Sequence, residues 1–87
     1  MTGRQQRDRR LVCLGQAIKE QRLALGLTQE QLAHLIGSEQ VDVSRLESGR
    51  NAIRIDRFWV LAESLAISPA ELLMVAERIE ASATSEA

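Results

Sequence analysis

Apolar residues recur at helical spacing along this chain, and small or polar residues interrupt the recurrence at regular points. Leu14, Ile18, the Gln21–Arg22 pair and Leu25 mark one stripe, which predicts a first helix from Leu11 to Leu25. Gly26 ends it, with Leu27 as the apolar contact beyond the cap. Thr28 is a good N-cap, and Gln31 three residues on completes a capping-box pattern. Leu32, Ala33 and Ile36 then share a face, and Gly37 supplies the permissive backbone that ends the second helix. After the turn, Val43 and Leu46 recur at i, i+3 and can pack back onto Leu32 and Ile36. That leaves Gln40, Val41, Asp42, Ser44 and Arg45 facing outward, and Gly49 ends the third helix. Two short helices with a tight turn between them, the second with a free polar face, describe a helix-turn-helix. In that motif the second helix enters the major groove of DNA.

The pattern continues beyond the motif. Ile55, Phe58, Leu61, Ala62 and Leu65 predict a fourth helix over 55–65. Trp59 and Val60 fall off its stripe, so Trp59 either packs at the edge of the core or anchors a dimer interface. Ser68-Pro69-Ala70-Glu71 is the clearest helix start in the chain: a cap, a proline at the first helical position and a capping-box glutamate. A fifth helix follows to about Ala81. Its Leu72, Leu73, Val75, Ala76 and Ile79 exceed what one small core needs. Either all pack on the domain, or Val75 and Ile79 join Trp59 and Val60 across a two-fold axis. The expected fold is all-α, a compact five-helix bundle over residues 11–81. Residues 1–10 lack apolar periodicity and read as a basic flexible arm or an extension of the first helix. Residues 82–87 read as a disordered tail.

Composition adds boundaries. The chain has 87 residues, enough for one small domain, with 45% hydrophobic and 26% charged residues. Phe58 and Trp59 are its two aromatics, so the core is aliphatic. A domain this small is marginal alone, which favours an oligomer. One cysteine, Cys13, and one histidine, His34, support neither an internal disulfide nor a metal site. No cofactor is expected, and no membrane-spanning run or signal peptide is read, which predicts a cytoplasmic protein. An enzyme is not expected either, because no nucleophile–base pair, phosphate-cradling loop or placed carboxylate pair is present.

The net charge of −1 understates an asymmetry. Residues 1–27 carry six positive and two negative side chains, and residues 50–57 carry three and one. Residues 28–49 carry one positive and four negative, and residues 58–87 one and five. Basic residues therefore flank the motif while the C-terminal third is acidic. That distribution can show DNA a basic face.

Gly26-Leu27-Thr28-Gln29-Glu30-Gln31-Leu32-Ala33 and Val43-Ser44-Arg45-Leu46-Glu47-Ser48-Gly49 resemble the Cro and lambda-repressor family of helix-turn-helix domains, over roughly Leu14 to Leu73. The resemblance implies a lambda-repressor-like domain with the motif on helices two and three. It places an arginine at Arg22 paired with a glutamate at Glu47. It implies that Gln40 reads a base while Gln29 braces it and, with Thr28, touches phosphate. It brings the loop Arg50-Asn51-Ala52-Ile53-Arg54 to the DNA backbone, making Arg50, Asn51 and Arg54 anchors. Two positions depart from the family: Gln21 where an apolar residue is usual, and Ile53 where proline is frequent.

The outward face has its own chemistry. Gln40 can bond adenine N6 and N7, Val41 can pack on a thymine methyl, Ser44 can bond a base or phosphate, and Arg45 can reach guanine O6 and N7. Asp42 either accepts from cytosine N4 or pairs with Arg45, and Glu39 suits the cap or first turn of the helix. Double-stranded DNA and a second copy of the chain are the expected partners. The rival reading is a protein-interaction module on the same fold, such as an antitoxin, with a protein partner on helix five and the acidic tail.

Overall fold

The computed structural model describes the backbone of residues 3–85 and the side chains of residues 9–83. It holds five helices: α1 Gly3–Ala24, α2 Gln29–Leu35, α3 Gln40–Glu47, α4 Ile55–Ser64 and α5 Pro69–Ser85. The helix starts follow local chemistry. Thr28 Oγ1 accepts from the Gln31 amide at 3.0 Å while Gln31 Oε1 accepts from the Thr28 amide at 2.9 Å. Ser68 Oγ accepts from the Glu71 amide at 3.0 Å ahead of α5.

Four helices end the same way, with the third residue past the end donating back over five positions: Leu27 to Arg22, Ser38 to Ala33, Arg50 to Arg45 and Ile67 to Ala62. This closure needs a left-handed residue. Gly26, Gly37 and Gly49 supply it three times. Ala66, at φ 55°, supplies it the fourth time against the preference of its side chain.

Two boundaries differ from the sequence expectation. The first helix begins at Gly3 rather than Leu11. Nothing between these positions breaks a helix, and Arg and Gln are good helix formers. Of the two readings given to the basic segment, residues 3–10 therefore follow the extension of the first helix, and Arg9 and Arg10 approach Glu80 of α5 at 3.9 and 3.6 Å. Likewise α5 continues to Ser85, so residues 82–85 of the expected tail are helical. Met1, Thr2, Glu86 and Ala87 lie outside the described residues.

The core gathers one face of every helix: Ala17 and Ile18 from α1, Leu32 and Ala33 from α2, Val43 from α3, Phe58, Leu61 and Ala62 from α4, and Leu72 and Ala76 from α5. Two expected core positions are corrected: Leu25 lies past the end of α1 and is exposed, and Ile55 at the first position of α4 is 67% exposed, whereas Leu14 is partly buried and packs against the core. The buried stripe of α1 instead runs through Cys13, Gly15, Ala17, Ile18 and Arg22. Gly15 is in the stripe because α1 and α3 touch there. A Cβ at Gly15 would sit 2.4 Å from the Leu46 carbonyl oxygen, and one at Gly49 would sit 2.7 Å from Val12 Cα. Gln21, partly buried, donates from Nε2 to the Leu65 carbonyl at 2.9 Å, which closes the end of α4 where an apolar side chain would leave that acceptor alone. Among the described residues no single helix is long and apolar enough to cross a membrane.

Candidate nucleic-acid interface

The geometry of the site starts at the turn. Gly37, at φ 68°, reverses the chain after α2, and Glu39, extended at φ −104° and ψ 158°, starts α3. The Asp42 carboxylate accepts from the Glu39 amide at 3.1 Å, so its negative charge lies against the positive end of the helix dipole. Val43 is fully buried and Leu46 partly so, which pins the inner face of α3. At about 100° per residue, Gln40, Ser44, Ser48, Val41 and Arg45 then occupy one outward arc of roughly 140°. Gln40, Val41, Arg45 and Ser48 are exposed and Ser44 is partly exposed. Asp42 falls about 60° beyond the Arg45 side of that arc and is partly exposed. It carries a capping role that sequence reasoning did not give it.

A chain of hydrogen bonds runs from this arc into the core. Gln40 Nε2 donates to Gln29 Oε1 at 2.6 Å. Gln29 Nε2 donates to Glu47 Oε1 at 3.0 Å. Glu47 takes a two-point bond from Arg22, with Nε to Oε2 at 2.6 Å and Nη2 to Oε1 at 3.0 Å. The third arginine nitrogen, Nη1, donates to the Leu27 carbonyl at 2.7 Å. Arg22 is 6% exposed and Glu47 8%. Burial of two charges is tolerable here because the pair is two-pointed and its spare groups are also bonded. The pair thereby fastens the end of α1, the start of α2 and the end of α3 together, and Gln29 passes that rigidity on to Gln40.

Thr28 and Gln29 lie at the start of α2 next to this chain. Arg50, Asn51 and Arg54 are all exposed in the segment after α3, and Arg54 Nε stands 3.3 Å from Asp56 Oδ1. That separation, with both side chains exposed, leaves the guanidinium readily exchanged to another anion.

The expected dimer residues divide. Trp59 is 54% exposed and Val60 40% exposed on the outer side of α4. Val75 and Ile79 instead pack against the core, with part of each surface left beside Glu20, Arg78 and Ser82. Leu73 and Met74 are the exposed apolar side chains of α5, and sequence periodicity did not set them apart from their core neighbours. Sequence reasoning also passed over Arg57, whose Nη2 donates to the Ile36 carbonyl and to Ser38 Oγ, each at 2.7 Å. Its one sequence signal is a cation immediately beside the apolar stripe of α4. Among the described residues, no group of three or more His, Cys, Asp or Glu side chains could hold a metal ion.

Comparisons with known proteins agree with this architecture. A family model described as helix-turn-helix matches residues 18–72. The chain is 39% identical over 54 residues to a protein of Rhodospirillum rubrum described as an uncharacterized transcriptional regulator in the ATPase CF(0) region. That match covers 62% of this chain and half the length of the relative. Among solved structures, the restriction-modification controller protein C.AhdI from Aeromonas hydrophila superposes with a TM-score of 0.69 at 40% identity, covering 71% of this chain and 94% of that one. The clp gene regulator ClgR from Corynebacterium glutamicum superposes with a TM-score of 0.81 at 26% identity, covering 88% and 83%. With the family match spanning most of the five-helix core and a controller protein aligned over nearly its whole length, the chain belongs to the helix-turn-helix family of the Cro and lambda-repressor type, a family of DNA-binding regulators.

Proposed function

We propose that the chain is a transcriptional regulator that binds as a homodimer to a roughly palindromic operator and reads each half-site with α3. The observation that carries this is the outward arc of α3, where Gln40 is tethered through Gln29 to the buried Arg22–Glu47 pair. A reader held in place before DNA arrives loses little side-chain freedom on binding, so its hydrogen bonds count more fully towards discrimination. Gln40, Val41, Ser44 and Arg45 face base edges, with Asp42 at the border of the contact. Thr28, Gln29, Arg50, Asn51 and Arg54 bind phosphates and fix the register. The relatives support the reading: one is described as a transcriptional regulator, one as a clp gene regulator and one as a restriction-modification controller.

Homodimer formation uses the outer face of α4, where Trp59 and Val60 leave apolar surface uncovered. Two copies place two reading helices about one helical turn apart on DNA.

Selection of bound sequences from a random duplex pool tests the proposal. Recovery of a two-fold-related site with salt-sensitive affinity supports it. Gln40→Ala then relaxes preference at one position of each half-site, whereas Arg50→Ala weakens all sequences alike and lowers the salt slope by about 1. Identical behaviour of the two variants overturns the division between readers and anchors. No enrichment from the pool, together with a tight heteromeric complex involving residues 69–87, points instead to the interaction-module reading.

A further inference from the structure

The turn between α2 and α3 is fastened from outside the motif. Arg57 lies in the first turn of α4 and is partly buried. Its Nη2 donates to two acceptors at once, the Ile36 carbonyl at 2.7 Å and Ser38 Oγ at 2.7 Å. Ile36 is the C-cap of α2, so its carbonyl lies beyond that helix's own bonding ladder. Ser38 is on the other side of Gly37. The two acceptors therefore straddle the residue with the most backbone freedom in the motif, and a Cβ at Gly37 would meet nothing within 4 Å. Phe58, the next residue after Arg57, is 3% exposed within the core, which fixes the helical turn from which the guanidinium reaches.

We propose that Arg57 is a positioning residue for base reading, which sets the pose in which α3 presents Gln40 by clamping both sides of the Gly37 pivot. The inference rests on the reading of α3 as the base-reading helix. Gln40 is then held from two directions. Gln29 grips its side chain at 2.6 Å, and Arg57 grips the backbone entry two to four residues before it. A charge-assisted bond is about twice as strong as a neutral one, so this clamp is strong for a surface turn. Without it, α3 keeps its inner face through Val43, yet its N-terminal end gains play. Discrimination between bases demands a fixed donor geometry and suffers first, while attraction to phosphates tolerates the play.

The test uses the full chain and three variants: Arg57→Met, which keeps the aliphatic stem, Arg57→Lys, and Ser38→Ala. Affinities are measured for the duplex selected by the wild-type chain and for a scrambled duplex of equal length. Arg57→Met is expected to lower the ratio of the two affinities by about 5- to 100-fold, the worth of one base contact. Binding to the scrambled duplex should stay within about twofold. Ser38→Ala, which removes one of the two acceptors, gives a smaller loss in the same direction, and Arg57→Lys recovers part of the ratio. In the DNA-free protein, amide exchange of residues 37–40 should quicken about tenfold in Arg57→Met while that of Leu61 and Leu65 stays unchanged.

An unchanged affinity ratio overturns the proposal. So does equal weakening on both duplexes with a reduced salt slope, which would make Arg57 a phosphate anchor. Should the wild type prefer no sequence at all, the operator reading fails, and unchanged exchange at residues 37–40 would overturn the clamp separately. If Arg57→Met does not fold, Ser38→Ala decides, because it keeps the guanidinium and every core side chain.

Discussion

Arg22 and Glu47 are each charged and each more than nine-tenths buried, a state neither could hold alone. Removing one partner leaves the other desolvated and unpaired. Glu47→Ala should therefore cost about 3–5 kcal/mol in urea unfolding, and replacing both residues by apolar ones of similar volume should recover much of that loss. A cost below about 1 kcal/mol would show that water reaches the pair. Ala66 presents the opposite case, a residue whose backbone works against it. Its φ of 55° is natural for glycine, so Ala66→Gly should raise stability by about 0.5–1 kcal/mol, read as an increase of several degrees in Tm. Cys13 supplies a pH test. Burial pushes its thiol above the ordinary value, Glu80 adds to the rise and Arg9 opposes it. A raised folded pKa gives stability that is complete below the unfolded pKa and lost as pH climbs through the folded one. The decline of stability on the alkaline side should be shallower in Cys13→Ala than in the parent chain.

At the scale of elements, the position of α3 depends on how closely α1 comes to its end. Gly15 permits that approach, since a methyl group there would press 2.4 Å from the Leu46 carbonyl and 2.6 Å from that of Glu47. Backbone cannot swing aside as a side-chain tip can. Gly15→Ala should destabilise by about 1–3 kcal/mol, and selection from a DNA pool should show blurred base preference even at temperatures where the variant is folded. If Gly15→Ala proves neutral, the two helices have room that the structure does not show. The same closeness explains why an isolated glycine stands in the interior of a long helix, where by propensity alone it is unfavourable.

At the scale of the whole molecule, two surfaces differ in kind. One is the polar outward arc of α3 with the exposed arginines that follow it. The other is apolar and lies on α4, where Trp59 and Val60 are uncovered. Trp59→Glu places a charge in the proposed two-fold contact. It should yield a monomer by sedimentation, keep the helical circular dichroism, and bind a palindromic site markedly more weakly with little change on a single half-site. A variant that stays dimeric would move the interface elsewhere, with exposed Leu73 and Met74 of α5 as the next surface to test.

The helices themselves were legible in the residues. Capping at Thr28 and Ser68, closure at Gly26, Gly37 and Gly49, and the apolar spacing of Leu32, Ile36, Val43 and Leu46 are local signals, and local hydrogen bonding obeys them. What escaped that reading was everything that depends on which helix lies against which. Arg57 and Gly15 drew no role from the sequence, and Gln21 stood out only as a polar residue where the family usually has an apolar one. Tertiary structure makes Arg57 a clamp on the turn, Gln21 a cap for α4 and Gly15 a contact point between helices. The physical reason is range. Periodicity and capping act within a turn or two of chain, whereas the partners of a buried or bridging polar group are chosen by packing across 19 to 44 residues.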